Sequence, residues 1–372
     1  MKIDCPNSLL RENYTKNPPH LFTSVDVRDA GFKVAPVDTN IFPAGWHLLS
    51  IEGAQTASKY MGEYLKNKLP TCKKIGIVAE NFSRNEHYWK NVQALEQIII
   101  NSGYGVVIGV TDVEVAATKP IKELKHIHKT DGKLFFGDEQ PCVIVSNRDF
   151  ASGAPAEFKD IKQPVFPTVS MGWYRRRKSA HFDAYDIVAR KFAEENNFDP
   201  WLITTYHEQC GTVDFKRKEG LECVALQVEK VLQKIRAKYV QYGIDQEPFV
   251  FIKADSGSFG MGIMTARSGA EILEVNKKLR NKMSTTKENM DVAQVIIQEG
   301  VPTVQTSEGK IAESMVYLVA GEPVDRFLRV NDQKSALENL NSSGMSFAID
   351  TNKSQFVSCI AKLAAIAACN EQ

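Results

Sequence analysis

The sequence predicts an α/β chain with additional α+β elements: an open α/β domain in front and a region of short strands behind it. The buried-type strands of the front half cover 74–79, 106–110 and 142–146. A helix that places Trp89, Val92 and Leu95 on one side lies between the first two. Strand–helix–strand order at this spacing favours a parallel βαβ unit. In the back half, the strand–loop–strand pattern at 249–264 begins a series of short strands joined by turns.

Composition narrows the class of protein. With 372 residues, 43% hydrophobic and 24% charged, the chain has the make-up of a globular protein of two or three domains. Its net charge of +1 gives no support to a nucleic-acid partner. The first residues are polar and lack the apolar segment of a signal peptide, and no apolar run approaches the length of a membrane span. We therefore expect a cytoplasmic protein with no membrane partner.

The cysteines are scattered rather than paired. The seven are Cys5, Cys72, Cys142, Cys210, Cys223, Cys359 and Cys369. They form no CxxC motif, which argues against a zinc site and against a framework of disulfides. Cys142 and Cys359 lie in apolar segments, so we expect both in the core.

The most informative segment is 249–264, FVFIKADSGSFGMGIM. A short apolar strand ends on Lys253, and a glycine-rich loop leads to a second strand. The loop residues predicted to contact a ligand are Ser256, Gly257, Ser258, Gly260 and Gly262. Glycines let backbone N–H groups approach an anion, and a lysine beside them can reach a phosphate. In a Walker P-loop the lysine follows the glycines, whereas here it precedes them. This order resembles the phosphate lid of ATP-grasp enzymes, although a hairpin without a ligand has the same pattern.

The elements after this lid continue the resemblance. A strand at 294–299 ends on Gln298 and Glu299, where an ATP-grasp fold has its adenine hinge. Two strands joined at Ala320-Gly321 follow, and the second carries Arg329. The Asn-rich loop ENLNSSG at 338–344 comes next. The order resembles the ATP-binding half of an ATP-grasp ligase and is similar to that of glutathione synthetase.

These assignments divide the chain into three parts. Residues 1–165 are predicted to form an N-terminal α/β substrate-binding domain, 166–245 a largely helical connection, and 246–372 a nucleotide-binding region. Helices are expected at about 182–195 and 221–242, and Gly243 suits the C-cap of the second.

Two polar segments of the front half carry a more specific resemblance. They are SVDVRDAGFKVAPVDTNIFPAGW at 24–46 and RRRKSAHF at 175–182. Taken alone, the first segment is more readily explained as a solvated loop with turn residues, and the four consecutive cations of the second as a solvated face. Together with DPW, IKADSGSFGMGIM, VIIQEGVPT and ENLNSSGM, they resemble the proteobacterial glutamate–cysteine ligase family over 21–345. Two stretches, 325–327 and 332–337, depart from the family pattern near the loop expected to bind metal.

The resemblance implies ATP-dependent joining of the glutamate γ-carboxylate to the cysteine amine through a γ-glutamyl phosphate, with ATP and Mg²⁺. Its partners would be the small molecules L-glutamate, L-cysteine and ATP, and the sequence is compatible with a homo-oligomer. Lys253 and Arg329 are the predicted catalytic residues. The predicted substrate ligands are Arg28, Lys33, Asp38, Asn40 and Arg176. The predicted metal ligands are Glu313, Glu338, Asn339 and Asn341.

Two other functions fit part of the pattern. Another ATP-grasp amino-acid or peptide ligase would share the lid, since only the front-half segments favour glutamate. A non-catalytic ATP-binding protein would also share it, although the retained Lys253, Glu299, Arg329 and Asn339 argue against loss of catalysis.

Overall fold

The computed structural model describes residues 14, 16–42, 44–81, 86–112, 114, 124–257, 262–284, 292–352 and 354–371. The predicted loop residues Ser258 and Gly260 lie outside these ranges. Three sheets and seven α-helices are found in the described part, which confirms the predicted α/β class. Short 3₁₀ helices cover Trp46–Leu48, Ala156–Phe158, Val169–Met171 and Pro200–Leu202. No helix within these residues is both long and apolar enough to cross a bilayer.

The front sheet is mostly parallel, as predicted. Its strands are β3 (Lys74–Val78), β4 (Gly105–Val110), β5 (Leu124–Thr130), β6 (Lys133–Phe136), β7 (Val143–Ser146) and β8 (Val165–Phe166). They lie in the order β6-β5-β4-β3-β7-β8, with only β6 antiparallel to its neighbour among these described strands. Helices α1 (Ile51–Lys68) and α2 (Glu86–Asn101) share a hydrophobic core with β3, β4 and β7. This sheet is the open α/β domain expected from the sequence.

The central sheet is antiparallel and joins the two ends of the chain. Its strands are β1 (Phe22–Asp29), β2 (Val34–Asn40), β13 (Thr306–Ser307), β14 (Lys310–Val319), β15 (Glu322–Asn331) and β16 (Met345–Ile349). The order is β16-β15-β14-β1-β2, with β13 beside β14. Helices α3 (Lys178–Glu195) and α7 (Gln355–Cys369) bury their apolar sides against it. The segment 24–46 is therefore largely a buried hairpin rather than a solvated loop.

The lid sheet is also antiparallel. Its strands are β9 (His207–Cys210), β10 (Val250–Ala254), β11 (Ile263–Ala266) and β12 (Val295–Glu299), in the order β11-β10-β12-β9. Helix α4 (Leu221–Tyr242) packs on it and ends at Gly243, whose φ of 63° confirms the predicted C-cap. The stretch after β11 forms two short helices, α5 (Gly269–Leu273) and α6 (Lys277–Met283). Asn276 caps the second, which explains the break.

Sheet pairing crosses the predicted domain boundaries at 165 and 245. Strand β1 pairs with β14, so the start of the chain belongs to the same sheet as its last third. Strand β9 pairs with β12, so the connecting part supplies a strand to the lid. Patterns along the sequence report single strands, whereas pairing partners are set by the tertiary fold.

The expectation that the cysteines form no disulfides is wrong. The structure joins Cys72 to Cys142 and Cys210 to Cys223. The first pair lies just before two adjacent parallel strands, β3 and β7, with its Cα atoms 5.6 Å apart. Cys142 is exposed rather than in the core, whereas Cys359 is buried as predicted.

Candidate active site

One face of the central sheet forms the floor of a cavity of about 340 Å³, here called the central cavity. Cross-strand pairing aligns Asp38, Asp26 and Met315 in one row across β2, β1 and β14. The neighbouring row aligns Arg329 with Phe347 across β15 and β16. Because directly paired residues share a face of a sheet, carboxylates lie at the β1–β2 end and apolar side chains toward β16. The volume suits a small-molecule site, for which about 300–1,000 Å³ is usual.

The opposite wall of the central cavity is the carboxyl edge of the parallel sheet. Glu80 follows β3, and Asn147 and Asp149 follow β7. The start of α2 adds His87, Tyr88 and Asn91. Ligands of open α/β sheets bind at this edge. None of these residues was predicted from the sequence, although polar residues directly after buried strands are the signal that would have found them.

Lys253 lies in a smaller space of about 50 Å³, the junction cavity, which borders the central cavity. Asp26 and Asp38 line both spaces. Ser256 and Gly257, which follow β10, also line the junction cavity. The structure thus brings the lid lysine and part of its loop to the carboxylates of the β1–β2 hairpin.

A third space of about 530 Å³, the lid cavity, opens between the β10–β11 hairpin and the Asn-rich loop. Gly262 lines it from the lid, and Glu338 and Asn339 line it from the loop. Asn341 lines all three cavities. The three spaces therefore meet at one amide side chain.

The amine of Lys253 is held in place within the protein. It donates to the carbonyl of Val37 at 2.8 Å and to Oε1 of Gln298 at 2.7 Å. An ammonium has three donors, and among the residues that the structure describes two of them are used, which leaves the third for a ligand in the junction cavity. Burial and the charge of Lys178 lower the pKa of Lys253 to about 8, although Asp38 opposes the shift.

Arg329 is the cation of the central-cavity floor. Its Nη1 donates to Asp26 at 2.7 Å and to Glu313 at 2.5 Å. Burial, with the charges of Glu313 and Asp38, raises the pKa of Asp26 despite its contact with Arg329. Within the described residues, Nε of Arg329 is buried and has no hydrogen-bond acceptor. A buried donor without an acceptor is costly, and a bound carboxylate would supply one.

Arg28 contacts protein groups rather than open space. Its Nε pairs with Glu313 at 2.7 Å. Its other nitrogens donate to the carbonyls of Val301, Ala336 and Glu338 at 3.1, 3.4 and 2.6 Å. The residue lines the junction cavity, yet these bonds use its guanidinium to fix the start of the Asn-rich loop. They do not support its predicted role as a direct glutamate ligand.

Two further residues of strand β2, Asp38 and Asn40, line the cavities. Asp38 accepts a hydrogen bond from Lys178 at 2.6 Å. Asn40 lines the central cavity and caps a turn by accepting from the N–H of Phe42. Lys178, which was not predicted as a site residue, is the member of the 175–178 cation run that lines the junction cavity. Nothing in the run itself distinguishes it from its neighbours.

Other predicted site residues are not brought to the cavities. Lys33, Arg176, Gln298 and Glu299 line none of the three. The Glu299 carboxylate is buried against the Lys33 amine at 2.8 Å and accepts from Trp201 Nε1 at 3.0 Å. Lys33 therefore stabilises the base of the lid, in place of its predicted contact with glutamate.

Arg176 is likewise a structural residue. Its guanidinium makes two hydrogen bonds to Glu371, both at 2.7 Å, and a third to the carbonyl of Thr39. His181 contacts the same carboxylate. Arg176 therefore ties the segment after α7 to β2, and it lines none of the three cavities.

The predicted metal ligands differ in what they can offer. Both oxygens of Glu313 pair with buried arginines, so a cation bound there would face two positive charges at close range. Asn339 closes a turn by accepting from the N–H of Asn341. Glu338 accepts from Lys334 and from the N–H of Ser335 at the edge of the lid cavity. In the part of the chain that the structure describes, no three His, Cys, Asp or Glu side chains converge as a preformed metal site.

Comparison with known families decides the identity of the molecule. Residues 6–372 match the family described as glutamate-cysteine ligase. The chain belongs to this family. It is a ligase that joins glutamate to cysteine.

Among solved structures, this glutamate–cysteine ligase is similar to a protein assigned as a gamma-glutamylcysteine synthetase from Methylobacillus flagellatus KT. The two superpose with a TM-score of 0.89 and 33% sequence identity, over 98% of this chain and 92% of that one. A D-alanyl-alanine synthetase A from Vibrio cholerae matches with a TM-score of 0.34, 11% identity and 78% of each chain. At that level it does not inform the site. No match was found among curated protein sequences.

Proposed function

We propose that this ligase makes γ-glutamylcysteine inside the three joined cavities, with ATP cleavage driving amide formation. The observation that carries the proposal is that Asn341 lines all three cavities while Lys253 lies in the middle one. The lid cavity takes ATP, the central cavity takes the amino acids, and the junction cavity takes the phosphoryl group in transfer.

The lid supplies the contacts for the nucleotide. Gly257 and Gly262 have φ of 97° and 62°, a backbone conformation that other residues rarely adopt. They let the loop turn close to a phosphate, while Lys253 neutralises charge. Lys282 and Lys334 also line the lid cavity and add positive charge. Gln298 acts from inside the lid by holding the Lys253 amine.

The charged half of the central cavity suits glutamate. The Nε of Arg329 has no acceptor among the described residues, and the fork of an arginine matches carboxylate geometry. Asp26 and Asp38 offer negative charge to the substrate ammonium. Both carboxylates also line the junction cavity. Glutamate bound here has its γ-carboxylate directed toward Lys253.

The chemistry follows from the poor electrophilicity of a carboxylate. A γ-carboxylate oxygen attacks the terminal phosphorus of ATP, the bond to the bridging oxygen breaks, and ADP leaves. The cysteine amine then attacks the carbonyl carbon of this acyl phosphate, loses a proton, and expels inorganic phosphate. Positioning and charge neutralisation by Lys253 and Arg329 are the main contributions of the protein, as in phosphoryl transfer generally.

The residues of the lid cavity fit Mg²⁺ in kind. Glu338, Asn339 and Asn341 present carboxylate and amide oxygens, and Mg²⁺ in such sites is held by one or two carboxylates together with substrate phosphates. A site without a convergent cluster of acidic residues can therefore still bind Mg²⁺ when ATP is present. Bound Mg²⁺ would offset the negative charge of the phosphates during transfer.

Release of ADP tests the proposal. We expect turnover with glutamate and cysteine together, a trace or none with cysteine alone, and γ-glutamylcysteine as the product. If ADP release is equally fast when cysteine is replaced by another precursor of glutathione, the enzyme is a different peptide ligase. ATP binding without any ADP release would leave only a nucleotide-binding protein. Because ATP and free amino acids are substrates, we place the enzyme in the cytoplasm.

A further inference from the structure

We propose that Met315, Met345 and Phe347 form the subsite for the thiol-bearing side chain of the acceptor, and so set the preference for cysteine over serine. The inference rests on the proposed function and deepens it. All three residues line the central cavity. Met345 and Phe347 lie on β16, away from the carboxylates of the β1–β2 hairpin, and Met315 lies between them and Asp26, with which it pairs across β14 and β1.

The register of the central sheet places these side chains on one surface. Phe347 pairs with Arg329 across β15 and β16, and Met345 pairs with Asn331 one row further along. Residues 345, 347 and 349 alternate along β16 and therefore point to the same face. The ring of Phe347 packs edge-on against Phe327, with centroids 5.6 Å apart, which fixes its orientation.

Exposure also points to a ligand. Met345 and Phe347 are 41% and 39% exposed, on a cavity floor that also carries the charged side chains of Asp26, Asp38 and Arg329. Ile349 lies on the same strand and face at 83% exposure, but it does not line the cavity. On the floor of the cavity, apolar side chains lie at two positions of β16 and at Met315 of β14, while Phe42, Ala44 and Leu48 line the cavity from the segment after β2.

The chemistry of the acceptor matches this surface. A thiol is a weak hydrogen-bonding group and loses little when it leaves water, and sulfur makes favourable contacts with aromatic rings and thioethers. A hydroxyl in the same place would leave water without gaining a partner. Apolar pockets reject an added hydroxyl by about 100-fold. The charged end of the floor stays free for glutamate, so the two substrates meet near Arg329.

Acceptor selectivity tests the subsite. ADP release is measured with glutamate and each of L-cysteine, L-2-aminobutyrate and L-serine. For the wild-type enzyme we expect 2-aminobutyrate, which replaces the thiol by a methyl group, to be used, and serine to have a kcat/KM about 100-fold below that of cysteine. Met345→Gln keeps the length of the side chain and adds polarity. Phe347→Asn removes the ring, and Phe347→Leu keeps an apolar group.

The expected result separates these variants. Met345→Gln and Phe347→Asn should raise the KM for cysteine about tenfold. They should also reduce the difference in kcat/KM between cysteine and serine, with the KM values for glutamate and ATP unchanged. Phe347→Leu should keep the selectivity, and Ile349→Gln on the same strand should match wild type. Should Phe347→Asn fail to fold, Met345→Gln on the exposed edge strand decides the question.

Three outcomes would overturn the subsite. The first is unchanged cysteine selectivity in Met345→Gln. The second is the same loss in Ile349→Gln, which would trace the effect to β16 in general. The third is an increase in the glutamate KM instead. A wild-type enzyme that releases no ADP with glutamate and cysteine would refute the proposed function itself, and the subsite with it.

Discussion

Glu313 and Arg329 face each other across β14 and β15, and the arginine joins this carboxylate to that of Asp26. Arg28 pairs with the other oxygen of Glu313. Two arginines and two carboxylates thus form a buried chain from the central cavity to the Asn-rich loop. Their charges nearly balance, so an incoming substrate carboxylate must compete with Asp26 for Arg329.

Replacement of Lys253 by alanine should cut ATP turnover by about 10- to 100-fold, because a charge-assisted hydrogen bond contributes about 1.5–3 kcal/mol. Steady-state ADP release at several ATP concentrations measures it. Lys310→Ala is the matched control, since this exposed lysine lines none of the three cavities. Normal turnover by the Lys253 variant would remove the residue from the mechanism.

The pH dependence of turnover should also reflect the protonation state of Lys253. Its pKa is lowered to about 8, mainly by burial, so the amine loses its proton as the pH rises through that value. We expect kcat/KM for ATP to fall above about pH 8 in step with one deprotonation. Lys253→Arg, whose side chain stays charged, should move this fall to higher pH. A profile identical in both enzymes would assign the fall to another group.

Arg28→Ala should loosen the Asn-rich loop and lower the stability of the fold, rather than change only the KM for glutamate. It leaves the Glu313 carboxylate with one arginine and frees the carbonyls of Ala336 and Glu338. Breaking a buried ion pair costs about 3–5 kcal/mol. Because Glu313 keeps its pair with Arg329, we expect a loss of stability near the lower value of this range. Thermal unfolding and the KM values for both substrates measure the change. A raised glutamate KM with unchanged ATP KM and Tm would restore Arg28 as a substrate ligand.

Glu338→Gln combined with Asn341→Ala should raise the Mg²⁺ concentration needed for half-maximal rate, because two oxygen ligands are weakened or lost. The measurement is a Mg²⁺ titration of ADP release at fixed ATP. Glu308→Gln, in the turn before β14, provides the control. An unchanged titration in the double variant would exclude the loop as the metal site.

Glu371→Ala should destabilise the fold by leaving Arg176 buried without its carboxylate, a loss of about 3–5 kcal/mol. Although burial opposes it, Arg176 lowers the pKa of Glu371 from 4.5 to about 2. The carboxylate therefore contributes stability above about pH 4.5, and this contribution is lost as the pH falls toward 2.

Denaturant unfolding of wild type and the Glu371 variant at pH 7 and pH 3 gives the comparison, and the difference should narrow at the lower pH. Glu322→Ala breaks a more exposed pair with Lys362 and should cost less than about 1 kcal/mol. Equal losses in the two variants would contradict the assignment of Glu371 as a buried anchor.

Local patterns predicted the elements of this fold well where each element carries its own signal. The bounds of α4, the C-cap at Gly243 and the turn at Ala320-Gly321 were all readable from the sequence. Lys253 was identified because the glycine-rich loop that indicates its role follows it directly in the sequence. The roles of Arg28 and Lys33 were not, since their partners Glu313 and Glu299 lie 285 and 266 residues away.

The missed site residues share a physical reason. Glu80 and Asp149 become neighbours only because β3 and β7 pair in parallel. Lys178 reaches Asp38 across 140 residues of sequence. A run of charges does not reveal which member is buried, because burial of a charge is decided by a partner from another element.

The pairing of β1 with β14 has a consequence for how the molecule is made. A ribosome releases the β1–β2 hairpin long before it adds the strand that completes the sheet. Until then one edge of β1 presents unpaired backbone groups beside apolar side chains such as Val25 and Val27. Such an edge is a template for pairing with other nascent chains. The hairpin is therefore a segment that a chaperone would protect during synthesis.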